Sequence, residues 1–265
     1  MDERSFRTEE WAKEAMKTSE QTASQAPTTV EKLRGMPWGV GWSVTNAVYA
    51  QYSFFSSLFV LFLSQLGLEK AQIGSLLSLL PFLGILAVFI ASTVARLGYK
   101  RVFVVSIASR TAVTALLLLT PAILARWGAG AVLAFVIITV GAFGIFRAIA
   151  FTAFYPWLLE QVPDSMRGKY TAIKNALASL TAFLAMIVAG YVLGPDPALS
   201  RFMILISVGL VFGAISVWTS THIPGGAPVR VDPGEGTSLQ EMKAASRDAN
   251  FVRYLAGVGL VTVST

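Results

Sequence analysis

The chain has 265 residues, of which 54% are apolar and only 14% charged, whereas an ordinary soluble domain carries about a quarter charged residues. Its formal charge is +6, but the Lys and Arg residues lie between long apolar runs without interleaved aromatic residues, which excludes a nucleic-acid partner. Cysteine is absent and His222 is the single histidine. This excludes disulfides and thiolate chemistry, and we predict no metal site and no cofactor.

The amino-terminal segment, residues 1–37, is polar and mixed in charge. It contains no short apolar region followed by a small-residue cleavage site, so it does not have the pattern of a signal peptide. We therefore predict a retained tail.

Six apolar stretches follow this tail, each with about the 20 helical residues needed to cross ~30 Å of hydrocarbon. They lie near residues 38–66, 71–95, 102–125, 129–157, 171–194 and 202–222. Every backbone amide in lipid must be paired within its own segment, and the alternation of barrel strands is missing. The sequence therefore predicts an all-α membrane protein with a six-helix bundle over 38–222. A soluble all-helical protein is the alternative, which such long consecutive apolar runs disfavour.

The basic residues between the stretches predict the orientation, because Lys and Arg are enriched in cytoplasmic loops. The links on the side opposite to the tail hold only Lys70, Arg126 and Arg201. The tail's side holds Arg4, Arg7, Lys13, Lys17, Lys32, Arg34, Arg96, Lys100, Arg101, Arg167, Lys169, Arg230, Lys243 and Arg247. We therefore predict a cytoplasmic amino terminus in a membrane of the bacterial inner type.

A linker follows the sixth stretch, because IPGGAPVRVDPGEG is too rich in Pro and Gly to continue a helix. Ser238 and Glu241 have the spacing of a capping box, which predicts a short amphipathic helix within a cytoplasmic linker over 223–250. Residues 251–265 are apolar but too short to span a bilayer. Either the chain is a fragment that stops inside a seventh helix, which we favour, or it ends in a stub that dips into the membrane.

The loop after the second stretch carries a motif within LFVLFLSQLGLEKAQIGSLLSLLPFLGILAVFIASTVARLGYKRVF, from Leu58 to Phe103. It resembles the G-x-x-x-D-R-x-G-R/K-R/K loop of the major facilitator superfamily. The matching positions read Ala91, Ala95, Arg96, Gly98, Tyr99 and Lys100, followed by Arg101. The acidic residue has become Ala95. In the family that carboxylate helps to latch the cytoplasmic side, so the resemblance does not carry the latch over.

Two further segments resemble the same family. In YPWLLEQVPDSMRGKYTAIKN, the spacing of Glu160, Arg167 and Gly168 is similar to a cytoplasmic charge network of many facilitators. The segment RDANFVRYL resembles the start of the seventh helix. The resemblance implies one six-helix half of a protein built from two halves around a cavity, which transports a small solute by alternating access.

Three basic residues lie inside predicted helices, where a charge at the helix centre costs about 2.5–3.5 kcal/mol on insertion scales. Lys174 is about 6 Å from the start of its stretch, so we predict that it snorkels to the headgroups. Arg110 is about 12 Å deep, and both a structural and a solute-binding role are compatible with that depth. Arg147 lies about 15 Å from the cytoplasmic end, near the midplane.

Arg147 is the strongest candidate for solute binding, because the six stretches contain no Asp or Glu away from their ends. The family resemblance places the first and fourth helices along the cavity. We predict that Arg147 holds an anionic group of the solute, for which a guanidinium is well shaped. The alternative is an ion pair with an acidic residue in a second half.

The first stretch has a polar stripe, since Ser43, Asn46, Tyr49, Ser53 and Ser56 recur at steps of three and four. This face should point into the bundle. Asn46 and Tyr49 are the residues that we predict to contact a solute, and helix packing through small and hydroxyl residues is the alternative.

The sequence has no phosphate-binding loop of the form G-x-x-x-x-G-K-S/T, which argues against ATP hydrolysis. A symporter or antiporter that uses a coupling proton or another ion, or a facilitative carrier, fits this pattern. A non-transporting sensor or binding relative is one alternative. A membrane-embedded lipid-modifying enzyme is another, but such enzymes need several His, Asp or Cys residues near one interface, so we predict no enzymatic activity.

Overall fold

The computed structural model describes residues 27–54, 56–84, 86–195 and 197–228. The predicted amphipathic helix after Ser238 and the predicted start of a seventh helix over 251–265 lie outside these residues, as does most of the tail. Within the described ranges the α-helices are α1 (Thr29–Gln51), α2 (Ser57–Gln65), α3 (Lys70–Leu83), α4 (Leu86–Leu97), α5 (Tyr99–Ala115), α6 (Thr120–Gln161), α7 (Arg167–Leu193) and α8 (Leu199–Thr221). Short 3₁₀ helices at Leu116–Leu119 and Asp164–Met166 precede α6 and α7.

Helix α1 begins at Thr29, earlier than the predicted apolar stretch, because a capping box starts it. The Thr28 backbone N–H donates to Glu31 Oε2 at 2.8 Å, and the Glu31 N–H donates to Thr28 Oγ1 at 3.3 Å. The hydrogen bond from the Thr28 backbone lowers the pKa of the Glu31 carboxyl. The first predicted stretch is also interrupted between Gln51 and Ser57, so it forms two helices, α1 and α2.

The chain reverses at Gly128, which divides α6 with φ 75° and ψ −177°, a backbone conformation that favours glycine. Before the reversal, α5 and the first turns of α6 run away from Phe103. After it, α6 returns until the Trp157 ring lies 5.4 Å from the Phe103 ring, centroid to centroid. The run from Tyr99 to Gln161 is therefore a helical hairpin.

Three described helical runs are long and apolar enough to cross a membrane, namely Tyr99–Gln161, Asp164–Leu193 and Leu199–Thr221. Their lengths of 63, 30 and 23 residues compare with the roughly 20 residues that one crossing needs. The hairpin at Gly128 makes the first run long enough for two crossings. The predicted all-helical membrane fold is confirmed.

Helices α1 and α8 pack antiparallel. The Trp38 ring stacks on the His222 ring with centroids 4.4 Å apart, and farther along the pair Gly213 lies against the Tyr49 ring. We call the end of the bundle that carries Trp38, Gly98, Trp157 and His222 the Trp157 end.

The apolar core consists of two clusters. One is built around Phe54, Phe59 and Phe143 and includes Tyr49. The other, towards the Trp157 end, is built around Phe103, Phe154 and Trp157 and includes Trp42. Since Trp42 and Tyr49 lie on one face of α1, the residues between the two clusters occupy the middle of the bundle.

Candidate functional site

A buried polar group lies between these two apolar clusters, and we call it the Arg110 cluster; its members are Asn46, Tyr49, Arg110 and Thr114. Arg110 on α5 is only 5% exposed. One of its terminal guanidinium nitrogens donates to Asn46 Oδ1 on α1 at 2.6 Å. Its guanidinium carbon lies 4.8 Å from the centroid of the Tyr49 ring and 5.9 Å from that of Phe143. The cation is thus held by one amide and two aromatic faces.

The Tyr49 hydroxyl is fixed by the helix that carries Arg110. Thr114 Oγ1 donates to the Arg110 carbonyl at 2.9 Å, which leaves its oxygen to accept from the Tyr49 O–H at 2.6 Å. On the far side of the ring, a Cβ at Gly213 would lie 2.8 Å from Tyr49 Cδ2. Glycine in α8 therefore permits the close approach that holds the Tyr49 ring against Arg110.

The charge of Arg110 has no carboxylate beside it within the described residues, whose one ion pair joins Arg167 to Asp164. In addition, Arg110 Nε is buried and has no hydrogen-bond partner among them. A buried cation of this kind is costly unless another group balances it. The Arg110 cluster therefore has an unused donor and a net positive charge at the centre of the bundle.

Arg147 lies beside this cluster on α6. It is partly exposed, its guanidinium carbon is 5.1 Å from the Phe151 ring centroid, and its charge is close enough to that of Arg110 for the two to repel each other. The structure thus brings together Asn46, Tyr49 and Arg110 by direct contact and Arg147 by proximity. Three of them, Asn46, Tyr49 and Arg147, are residues that we predicted to contact solute, and for the fourth, Arg110, the sequence left a structural and a solute-binding role open.

The hydroxyl groups that follow Tyr49 along the chain serve local structure. The Tyr52 O–H donates to the Ala185 carbonyl of α7 at 2.9 Å. The Ser53 and Ser56 hydroxyls donate to the carbonyls of Ala50 and Gln51, near the interruption between α1 and α2. Beyond Tyr49 the polar stripe therefore stabilises helix packing and the interruption.

The loop motif lies at the Trp157 end. Gly98 has φ 90°, and a Cβ there would lie 3.1 Å from the Gly226 carbonyl oxygen. That carbonyl accepts from the Lys100 N–H at 3.2 Å. Arg96 and Arg101 are exposed. The loop is thus held by the segment that follows α8, residues 223–228.

The charged residues of the second motif have separate partners. Glu160 Oε2 accepts from the Gly226 N–H at 2.8 Å, and beside it the Trp157 Nε1–H donates to the Pro224 carbonyl at 3.0 Å. Arg167 instead pairs with Asp164 and donates to the Leu159 carbonyl at 3.2 Å. A side chain at Gly168 would meet open space. Glu160 therefore fastens the segment after α8, and Arg167 closes the turn between α6 and α7.

Comparison with known families agrees with these motifs. The sequence profile of the Major Facilitator Superfamily matches residues 41–265. The chain belongs to the major facilitator superfamily. It is therefore a membrane protein that transports a small-molecule solute across a lipid bilayer. No curated protein sequence matches the chain.

One cation of this facilitator lies elsewhere than the sequence predicted. Lys174 was predicted to snorkel, yet it is only 6% exposed, and its Nζ lies 5.3 Å from the centroid of the Phe154 ring. Depth along α7 sets the distance to an interface, but the direction of the side chain depends on how α7 packs on its neighbours. The sequence shows no signal that pairs Lys174 with Phe154.

Proposed function

We propose that this facilitator moves a small anionic solute by alternating access, and that Arg110 and Arg147 bind the anion in the middle of the bundle. The observation that carries the proposal is the burial of the Arg110 guanidinium with an unused Nε donor and no carboxylate beside it among the described residues. A carboxylate or phosphate group would accept from that donor and would balance the charge.

The neighbours of Arg110 support a binding role by holding it in place. Asn46 and the Tyr49 ring fix the guanidinium from α1, so little side-chain entropy remains to be lost when an anion binds. Arg147 approaches from α6 and adds a second positive charge. An anion between the two guanidinium groups would relieve their mutual repulsion.

The proposed topology follows the distribution of Lys and Arg. We place the tail and the Trp157 end in the cytoplasm of a cell bounded by an inner-type membrane, with six crossings over 38–222 and a cytoplasmic linker over 223–250. The two halves of the complete transporter would rock around the central site. A gradient of protons or another ion, or exchange of solutes, would drive the cycle.

The test is uptake into proteoliposomes that contain the full chain. The solutes are labelled phosphate, a monocarboxylate, a dicarboxylate and a neutral polyol of similar size. Arg147→Gln and Arg110→Gln should each lower anion uptake by about tenfold or more, because a charge-assisted hydrogen bond is worth about 1.5–3 kcal/mol. Arg147→Lys should retain part of the anion uptake.

Arg126→Gln is the matched control, because Arg126 is exposed at the opposite end and lies over its neighbour Trp127. It should transport like the parent protein. Unchanged anion uptake in both Arg110→Gln and Arg147→Gln would remove these residues from the mechanism. A protein that binds these anions without any flux would instead be a sensor.

A further inference from the structure

A second buried cation lies between the Arg110 cluster and the Trp157 end. We infer that Lys174 and Trp42, arranged around the Phe154 ring, form a second binding site for a small anion, which we call the Lys174 site. We place this site on the route of the transported solute, so the inference rests on the anion transport proposed above.

Lys174 supplies the charge of this site. Its side chain extends from α7 towards α6, where Nζ lies 5.3 Å from the Phe154 ring centroid. Lys174 takes no part in an ion pair with any described carboxylate. An aromatic face attracts a cation but accepts few of the hydrogen bonds that an ammonium can donate. The Lys174 side chain is 6% exposed, and its ammonium keeps donor capacity.

Trp42 supplies a second donor from α1. Its ring packs against the same Phe154 ring, with centroids 4.9 Å apart, and against Phe103 at 5.4 Å. Trp42 is 9% exposed, and its Nε1 is buried without a hydrogen-bond partner among the described residues. An indole N–H can only donate, and buried indoles usually find an acceptor.

The chemistry of the two groups selects an anion. Both are donors without acceptor capacity, and one of them is charged. Water could satisfy the indole N–H, but only an anion would also balance the ammonium. One carboxylate or phosphate group held between the two donors would do both.

The position of the site relates it to the Arg110 cluster. Trp42, Asn46 and Tyr49 follow each other at steps of four and three residues and therefore lie on one face of α1. Four residues of helix correspond to about 6 Å, so the Lys174 site lies about one helical turn nearer to the Trp157 end.

Tyr170 closes the Lys174 site on the side of that end. It lies one turn before Lys174 on α7, and its O–H donates to the Met36 carbonyl at 3.3 Å. An anion that left Arg110 towards the Trp157 end would thus meet Lys174 before it passed Tyr170.

The test uses iodide as an anionic quencher of tryptophan fluorescence in the purified full chain, with neutral acrylamide as the matched control. Trp42 should give a component that iodide quenches saturably and acrylamide does not. Trp42→Phe keeps an aromatic ring but should abolish this component. Lys174→Gln should weaken its apparent iodide affinity by about tenfold, the loss expected for a hydrogen bond to a charged group. Lys174→Arg should preserve it.

Several results would overturn the Lys174 site. One is iodide quenching that is equal in the parent protein and in Lys174→Gln, both of them monodisperse. Another is quenching that acrylamide reproduces. Succinate or inorganic phosphate in the bath should compete with iodide. Competition by phosphatidylglycerol in the micelle, without competition by these soluble anions, would assign the site to a lipid headgroup and would also overturn it.

The same measurements separate this inference from the proposed function. If Lys174-dependent quenching occurs but Arg110→Gln leaves uptake unchanged, the transport proposal fails and the second anion site stands. If uptake depends on Arg110 but quenching does not depend on Lys174, only the second site fails.

Discussion

The middle of the bundle and its Trp157 end differ in how their charged groups are partnered, although Gln161 Nε2 and Arg167 Nε near the Trp157 end are, like Arg110 Nε, buried without a hydrogen-bond partner among the described residues. At the Trp157 end, Glu160, Trp157 and Lys100 all find backbone partners in the segment after α8. In the middle, Arg110 keeps a buried nitrogen without a hydrogen bond, and its charge is not balanced by a described carboxylate. The contacts of the segment after α8 favour an end that closes on itself, whereas the unbalanced charge of Arg110 is the reason why we propose that the middle binds another molecule.

The largest expected effect separates transport from stability at the middle. Arg110→Gln should lower anion uptake by about tenfold or more, because the charged donor is lost. It should leave the thermal midpoint of the purified protein equal or higher, since an unbalanced buried cation is removed. Uptake and melting in detergent are measured on the same preparation. A lower midpoint together with normal uptake would make Arg110 a structural residue.

The second prediction tests how tightly the Arg110 cluster is packed. Gly213→Ala places a Cβ 2.8 Å from Tyr49 Cδ2 and 2.9 Å from Thr111 Cγ2, so the Tyr49 ring must shift. We expect a loss of about 1–3 kcal/mol in the free energy of unfolding, the usual result of overpacking, and reduced uptake. Reversible unfolding in mixed micelles measures the free energy of unfolding.

Gly190→Ala is the control for this change, because a Cβ there meets nothing within 4 Å. Alanine is the better helix former, so this variant should be at least as stable as the parent protein. Equal stability of Gly213→Ala and Gly190→Ala would show that the contact with Tyr49 is loose.

The third prediction tests closure of the Trp157 end. The chain has no cysteine, so Ala227→Cys gives a single labelling site in the segment after α8. Adding Glu160→Ala should raise the rate of maleimide labelling by about threefold to tenfold, because the carboxylate no longer holds the Gly226 N–H. Asp164→Ala is the control, since its pair with Arg167 is exposed and contributes little. Equal labelling rates in the two variants would show that Glu160 does not hold the segment after α8 in place.

The smallest effect concerns the start of α1. Thr28→Ala removes the cap, so amide exchange in the first turn should become about fivefold faster. The pKa of Glu31 is lower in the folded state than in the unfolded state. Glu31 therefore stabilises the cap at pH values above its unfolded-state pKa, and this stabilisation is lost as the pH falls through its folded-state pKa. Hydrogen exchange read by mass spectrometry at two pH values measures both. Thr181→Ala, at a half-buried position on α7, should change nothing at α1.

The sequence predicted a membrane protein and its helical stretches, because the length of an apolar run can be read from consecutive residues alone. It missed the start of α1, where the capping box lies in a polar segment outside the apolar window. It also treated residues 38–66 as continuous, although the structure interrupts them between Gln51 and Ser57. Side-chain hydroxyl groups that donate to nearby backbone carbonyls favour such an interruption. Hydropathy averaged over a window of residues does not detect these hydrogen bonds.

At the candidate site, the residue types were predictable and their arrangement was not. Depth along a helix singled out Arg147 and left Arg110 with two roles, yet Arg110 is the more deeply buried of the two. Depth does not specify which neighbour a side chain faces. For the same reason, Lys174 was assigned to the headgroups, and the contact between Glu160 and Gly226 could not be foreseen from residues so far apart in the chain.

Binding of the anion by Arg110 is tested most directly by the selectivity of transport for charge. Proteoliposomes with the parent protein, Arg110→Lys or Arg110→Gln are loaded with unlabelled solute, and counterflow of the labelled anion that the parent protein takes up best is compared with that of a neutral analogue of the same shape. If Arg110 binds the anion, the parent protein exchanges the anion and not the neutral analogue, Arg110→Lys does so more weakly, and Arg110→Gln does not. Exchange of both solutes at equal rates by the parent protein and Arg110→Gln would contradict it.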